Sequence, residues 1–152
     1  MFERILAPVD GSDASLRALD AACDLTSHYS ATLLIVHVSE YQPPVPRLLP
    51  GSTALETLEG VEITDRDVAL GQAHAIVNEA RARAHRHGVG DRTSTRTEFG
   101  NPSRIIHDIA DEERVDLIVM GRRGTGALAG VVLGSVSHRV STQADCACLT
   151  IR

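Results

Sequence analysis

Short runs of aliphatic residues alternate with amphipathic segments along this chain of 152 residues. The runs at residues 5–9, 33–38 and 116–120 are apolar at almost every position, which is typical of strands that are buried on both faces of a sheet. Residues 93–99 alternate more and predict an edge strand. A last strand is predicted from Cys148 to Ile151.

Helical periodicity occupies the intervals between these strands. After the first strand, apolar positions repeat on one helical face at Leu16, Leu19, Cys23 and Thr26. Residues 65–87 predict a long helix whose inward face is mostly alanine, so that it lies close to the sheet. Asn101 and Pro102 predict the cap and first turn of a third helix. Val136 and Val140 have helical spacing in a fourth.

The order of the predicted elements indicates the fold class. Strands that alternate with helices are joined by right-handed crossovers, which produce a parallel sheet covered by helices on both sides. We therefore predict an α/β protein with a doubly wound, five-stranded parallel sheet. It forms a single domain over residues 1–152, and no internal repeat is present in the sequence.

Residues 39–61 interrupt this regular pattern. They contain four prolines and two glycines and show no clear periodicity. A long segment of this kind usually forms a functional or mobile loop. It leaves the carboxyl end of the second strand, the edge at which such folds bind ligands. We expect a long flexible loop here, either a variable surface excursion or a lid.

The composition limits the classes of function. The formal net charge is −5 and only 3% of the residues are aromatic, which argues against a nucleic-acid-binding surface. The chain has no lysine, so a phosphate site built on a P-loop lysine and Schiff-base chemistry are both excluded.

The cysteines and the apolar runs bear on location. Cys23, Cys146 and Cys148 form an odd and sparse set, which fits a reducing compartment better than a disulfide framework. We expect Cys146 and Cys148 to point to opposite faces of the last strand and to be packing residues. No apolar run approaches the roughly 18 residues of a membrane span, and no signal-peptide pattern is present. A cytoplasmic protein without a membrane partner is therefore expected.

The strand at residues 116–120 leads into a glycine-rich segment, GRRGTGALAGVVLGSVS, at residues 121–137. Its glycines allow backbone N–H groups to approach a ligand closely. Because the segment lies between a strand and the start of a helix, it predicts a phosphate site at a helix N-terminus. The alternative is a flexible loop in which Ser135 and Ser137 only cap the helix.

The glycine spacing in this segment is Gly121-x2-Gly124-x9-Gly134-Ser135, which differs from the P-loop and dinucleotide-binding patterns. In this spacing the chain resembles the universal stress protein family, in its ATP-binding branch. The resemblance covers nearly the whole chain, including ILAPVDGS at residues 5–12, VHV at residues 36–38 and DLIVMG at residues 116–121.

This resemblance implies a flavodoxin-like fold of the adenine nucleotide alpha hydrolase-like type, with strand order 3-2-1-4-5, that binds ATP. It places adenine against the backbone of Val38, near Pro8 and Val9, and places Asp10 beside the ribose, the phosphates or a bound Mg²⁺. The candidate nucleotide-binding residues are Pro8, Val9, Asp10, Val38, Met120, Gly121, Arg123, Gly124, Gly134, Ser135, Val136 and Ser137.

Several roles stay open at this point. Asp10 could bind Mg²⁺ or cap the helix that follows it. Arg122 and Arg123 could neutralise phosphate charge or be solvated loop residues. His37 is expected to pack within the sheet. The resemblance implies a homodimer through the last strand, although the family's Cys-Pro-Val before this strand is Cys146-Ala147-Cys148 here.

The function that follows from these features is that of an ATP-binding regulatory protein of the universal stress type, in which nucleotide occupancy is the signal. One alternative is an enzyme of the same fold, such as a slow ATPase or a nucleotidyl-transferring relative. Phosphoryl transfer needs an oriented nucleophile, and no catalytic residue is predicted. The other alternative is a dimeric adaptor that binds no nucleotide.

Overall fold

A computed structural model, which describes residues 1–40, 62–122 and 133–152, with side chains for all of these except 62–66, is built on one five-stranded sheet. The strands are β1 (Arg4–Pro8), β2 (Thr32–Ser39), β3 (Thr93–Phe99), β4 (Leu117–Gly121) and β5 (Ala147–Ile151). Neighbouring strands are parallel and their order is β3-β2-β1-β4-β5. Both the predicted parallel sheet and the strand order implied by the family resemblance are confirmed.

The α-helices of the described ranges alternate with the strands, and one short 3-10 helix, Gly90–Arg92, precedes β3. They are α1 (Asp13–Tyr29), α2 (Glu62–Arg86), α3 (Pro102–Glu112) and α4 (Ser135–Gln143). The predicted start of α3 is confirmed, because the Asn101 side chain accepts a hydrogen bond from the Arg104 N–H at 3.1 Å and Pro102 opens the helix. Helix α2 begins three residues earlier than predicted.

The two faces of the sheet carry separate apolar cores. Strand residues at odd positions, such as Ile5, Leu33 and Leu117, pack with α1 and α2. Strand residues at even positions, such as Leu6 and Ile118, pack with α3 and α4. This alternation follows from the two-residue period of a strand. The buried strands are therefore apolar almost throughout, as the sequence predicted.

Helix α1 lies close to the sheet because small residues form its inner face. Ser15, Ala18 and Ala22 are buried together with Leu19, whereas Leu16, which we predicted to face the core, is only half-buried. The alanine-rich inner face predicted for α2 is confirmed, with Ala73, Ala80 and Ala84 fully buried.

An ion pair joins α1 to the C-terminal part of α2. The Arg83 Nη2 atom donates to the Asp20 carboxylate at 2.7 Å, and the His87 ring lies 3.0 Å from the same carboxylate. The hydrogen-bonded Arg83 guanidinium holds the pKa of Asp20 below its ordinary value. This contact orients α2, whose N-terminal half reaches the carboxyl edge of the sheet.

Two predicted segments fall largely on residues whose structure is outside the described ranges. The loop at residues 39–61 is described only at Ser39, which belongs to β2, and at Glu40. The glycine-rich segment is described at Gly121, Arg122 and from residue 133 onward.

Gly121 is required by packing at the end of β4. A Cβ atom at this position would lie 2.8 Å from the backbone carbon of Ala14 and 2.8 Å from the backbone nitrogen of Ser15. Real Cβ atoms do not approach backbone atoms this closely, so only glycine lets the first turn of α1 contact β4. Packing therefore requires glycine at position 121, whether or not this residue contacts a ligand.

We expect Gly121→Ala to lower the free energy of unfolding by about 1–3 kcal/mol, because backbone atoms must move to accept the methyl group. Gly71→Ala is the matched control, since no atom of the described residues lies within 4 Å of a Cβ in this exposed helical position. The control should gain about 0.5–1 kcal/mol from helix propensity. Urea unfolding measures both values, and a Gly121→Ala variant as stable as the wild type would refute this packing argument.

Candidate functional site

A cleft of about 420 Å³ opens at the carboxyl ends of the central strands β1, β2 and β4. Helix α1 leaves β1 toward one face of the sheet, while α4 leaves β4 toward the other. Because these neighbouring strands send their connections in opposite directions, an open space remains between them. The volume is within the range of small-molecule sites.

Ten of the twelve candidate residues line this cleft. The structure brings together three sequence segments: the end of β1, the end of β2 and the region from the end of β4 to the start of α4. The lining candidates are Pro8, Val9, Asp10, Val38, Met120, Gly121, Gly134, Ser135, Val136 and Ser137. Arg123 and Gly124 lie outside the described residues. The binding role of all twelve stays a prediction.

Strand β2 presents backbone polar groups to the cleft. Its pairing with β1 ends at Pro8 and Val36, and the Val36 carbonyl accepts a hydrogen bond from the Val9 N–H at 2.8 Å. The main-chain groups of alternate strand residues face the same side. The N–H and C=O of Val38 therefore face the space beyond the end of β1, and this strand register leaves them without a partner in the β1 ladder.

His37 forms part of the wall of this cleft as well as packing within the sheet. It is buried, and its Nδ1 atom lies 2.8 Å from the Val9 carbonyl. Because a carbonyl can only accept, Nδ1 carries the proton and donates. The hydrogen bond fixes the orientation of the ring and ties the last residues of β2 to the end of β1.

Asp10 forms a tight turn at the start of α1. Its Oδ1 atom accepts hydrogen bonds from the Ser12 N–H at 3.0 Å and from the Ser12 hydroxyl at 2.6 Å. The Ser12 Oγ atom in turn accepts from the Ser15 N–H at 3.2 Å and is the N-cap of α1. The alternative in which Asp10 itself caps the helix is wrong, because Asp10 orients the residue that does so.

The start of α4 is held against the end of β4 by two hydrogen bonds. The Gly134 N–H donates to the Arg122 carbonyl at 2.9 Å, and the buried Ser137 hydroxyl donates to the Gly121 carbonyl at 2.8 Å. The hydroxyl proton of Ser137 is therefore engaged in a hydrogen bond within the protein. Gly134 is the N-cap and supplies no side-chain acceptor. The N–H groups of the first turn have no acceptor within the helix and can bind an anion.

Sequence reasoning missed several residues that complete the cleft. Ala69, Gln72 and Ile76 reach it from α2, and Pro102 and Ile106 reach it from α3. The mostly alanine inward face that the sequence predicts for residues 65–87 was interpreted as packing against the sheet. Part of that face lines the cleft instead, so the available signal was that an inward face need not be a core face. Ser15, Val36, Ser39 and Glu40 also line the cleft and follow from strand and helix ends already assigned.

The final strand is at the edge of the sheet. Leu149 is 38% exposed there, while Cys146 and Cys148 both pack against the core formed with α3 and α4. Our expectation that these two side chains point to opposite faces was wrong, because residues two positions apart along an extended chain face the same side. Both cysteines are free, and burial raises the pKa of the Cys146 thiol to about 11.

The fold and the cleft define a class: a doubly wound α/β protein with a small-molecule-sized cleft where the winding direction reverses. The model of the universal stress protein family matches residues 1–152. The chain belongs to the universal stress protein family. Among the described residues, no helix combines the length and apolar character that crossing a bilayer requires.

Named relatives agree with this assignment. The chain is similar to the universal stress protein YxiE of Bacillus subtilis, with 36% identity over 152 residues that cover all of both chains. It is also similar to the crystal structure of a universal stress protein in complex with cAMP, with 28% identity, a TM-score of 0.72, and coverage of 99% of this chain and 97% of that one.

A third similarity supports the fold alone. The structure of the universal stress protein from Archaeoglobus fulgidus in complex with dAMP has a TM-score of 0.69 at 19% identity. The match covers 100% of this chain and 98% of that one.

We expect Ser137→Ala to lower the free energy of unfolding by about 1 kcal/mol relative to Ser141→Ala, because the first change leaves the Gly121 carbonyl without its donor. Ser141 is an exposed residue of the same helix, and among the described residues its hydroxyl donates only to the His138 carbonyl one turn back. The gain in helix propensity is therefore common to both variants. Chemical denaturation of the two proteins checks the difference. Equal stabilities would show that the Ser137 contact contributes nothing.

Proposed function

We propose that this protein binds an adenine nucleotide, with ATP as its ligand, in the cleft between β1 and β4, and that nucleotide occupancy regulates its interactions. The observation that carries the proposal is the convergence at one cleft of the first turn of α4, whose N–H groups have no acceptor within the helix, and of Val38, whose N–H and C=O have no partner in the β1 ladder. The relative that is solved with cAMP, at 28% identity, supports the same ligand class.

The phosphates would lie at the start of α4. Three successive residues, Ser135, Val136 and Ser137, occupy its first turn and line the cleft. Their N–H groups and the positive end of the helix dipole favour negative charge. The Gly134 N–H donates to the Arg122 carbonyl, so the residues on either side of the glycine-rich segment meet at this helix start. Within this proposal Arg123 and Gly124 would also contact the phosphates.

The base would lie at the other end of the cleft. The Val38 N–H and C=O form an adjacent donor and acceptor, and adenine carries an N6 amino donor beside ring-nitrogen acceptors. Pro8 and Val9 supply apolar contact from β1, and Ile76 supplies it from α2. This division into an apolar, hydrogen-bonding end and an anion-binding end matches the two ends of a nucleotide.

Asp10 would lie between the two ends, near the ribose and phosphates. Its Oδ1 atom is engaged by Ser12, and its carboxylate is the candidate ligand for a Mg²⁺ ion that accompanies ATP, because Mg²⁺ is bound by carboxylates together with phosphates. Within this proposal the metal arrives with the nucleotide and is not part of the folded apoprotein.

We expect ATP binding, and not rapid ATP hydrolysis, to regulate the interactions of this protein. The chain has no lysine, and the sequence predicts no residue that would orient a nucleophile for phosphoryl transfer. Coupling to a partner requires that the partner distinguishes the nucleotide-bound protein from the nucleotide-free protein.

The β5 edge with its exposed Leu149 is the surface that we propose for a homodimer, because an unpaired strand edge can pair with a second chain. The cytoplasmic location stays a prediction.

Ser135→Glu tests the phosphate end with little risk to the fold. A carboxylate in the first turn stabilises a helix through its dipole, but it repels a phosphate at the same N–H groups. We expect at least a tenfold weaker Kd for Mg-ATP, about 1.4 kcal/mol, by isothermal titration calorimetry. Ser141→Glu adds the same charge in the last turn of the same helix and should bind Mg-ATP as the wild type does.

Two results would contradict the proposal. Wild-type protein that releases no heat and shows no thermal shift with Mg-ATP would favour a nucleotide-free adaptor. Equal weakening in both variants would place the anion site elsewhere, because it would report only the added net charge.

A further inference from the structure

A cluster of potential metal ligands lies at the edge of the sheet opposite to the cleft. His107 and Asp111 are four residues apart on α3, and Asp145 lies in the segment that joins α4 to β5. Their ligand atoms are all within 4.8 Å of one another. Helices of parallel crossovers run opposite to the strands, so the ends of α3 and α4 meet here, away from the nucleotide site.

We propose that His107, Asp111 and Asp145 bind a divalent transition-metal ion of the Zn²⁺ class. One imidazole nitrogen with two carboxylates is a ligand set for such an ion, whereas Mg²⁺ and Ca²⁺ prefer oxygen alone. Three protein ligands leave a fourth position for water.

The orientation of the His107 ring is the first argument for the site. Its Nε2 atom lies 3.2 Å from the Gln143 carbonyl and its Nδ1 atom lies 3.3 Å from the Asp111 carboxylate. A neutral imidazole has one proton, and donation from Nε2 to the carbonyl leaves the Nδ1 lone pair facing a carboxylate. Metal-binding histidines commonly donate their second N–H to a carbonyl in this way.

The charge around the cluster is the second argument. Asp145 is exposed and has no ion pair with any basic residue of the described ranges, and Asp111 pairs only with His107 there. Neither α3 nor α4 has a basic residue in its last turn, whereas α1 has His28 and α2 has Arg83, His85 and Arg86. Arg4 contacts the Glu113 carbonyl at the end of α3, whereas the Gln143 carbonyl at the end of α4 contacts the His107 ring, so a cation bound by His107 would lie at the negative end of the α4 dipole.

The distances allow coordination after small side-chain movements. Ligand atoms at about 2.0–2.2 Å from a tetrahedral zinc ion are roughly 3.4 Å apart, compared with the upper limit of 4.8 Å here. Asp111 and Asp145 are both exposed and can rotate inward. A bound ion would join α3 to the segment immediately before β5 and so stabilise the position of that edge strand.

Zinc titration of the untagged, EDTA-treated full chain without nucleotide tests the site by isothermal titration calorimetry. We expect one site of roughly micromolar Kd that is weakened at least tenfold in Asp145→Asn and in Asp111→Asn. Asp108→Asn is the matched control, since it removes the same charge from the same helix and Asp108 pairs with Arg104 instead. It should bind as the wild type does, and millimolar Mg²⁺ should not compete.

Nitrogen-15 NMR of the imidazoles gives a readout that a surface ion pair would not produce. Zinc should shift the His107 Nδ1 resonance and leave Nε2 protonated. The proposal is overturned if zinc does not bind, if Asp145→Asn binds zinc as tightly as Asp108→Asn does, or if another histidine is shifted in place of His107. In these cases His107 and Asp111 form only an intrahelical ion pair.

Discussion

The reversal of winding between β1 and β4 is the constraint on which the rest of the structure depends. These strands lie side by side, yet α1 covers one face of the sheet and α4 covers the other. Among the described residues, β2 continues past the end of its pairing with β1 at Pro8 and Val36, so the main-chain groups of Val38 face the gap between the two helices. The cleft is therefore a consequence of topology, and its chemical character depends on which residues follow each strand.

Hydrogen bonds and close packing within the protein hold those residues in place without a ligand. Asp10 orients Ser12, Ser12 caps α1, and Gly121 lets α1 approach β4. Ser137 then ties α4 to the same glycine. The starts of both helices are thus held before any ligand arrives, and such preorganisation reduces the entropic cost of binding. In this account, part of the glycine and serine pattern preserves the shape of the cleft rather than contacting the nucleotide.

Much of the fold could be predicted from sequence because its signals are local. Uninterrupted aliphatic runs marked the buried strands, and Asn101 with Pro102 marked a helix start. The order of the strands came from the family resemblance, since periodicity does not encode which strands are neighbours. Leu16 was misplaced because the small residues of α1, which hydrophobicity underrates, allow the closest approach to the sheet.

The candidate site could be predicted only in part for a similar reason. Residues that directly follow strands were found, because parallel strands bring their carboxyl ends to one edge. Gln72 could not be found, because its place depends on how α2 lies against α1, and the Asp20–Arg83 contact that sets this is invisible in a linear pattern. The direction of the Ser137 proton likewise depends on a carbonyl sixteen residues away.

The most direct test of the central claim is a crystal structure of the protein grown in excess ATP and Mg²⁺. The account predicts phosphate oxygens within about 3 Å of the N–H groups of Ser135, Val136 or Ser137, with the adenine edge at the backbone of Val38. A cleft that stays empty, or a nucleotide bound at any other surface, would contradict it.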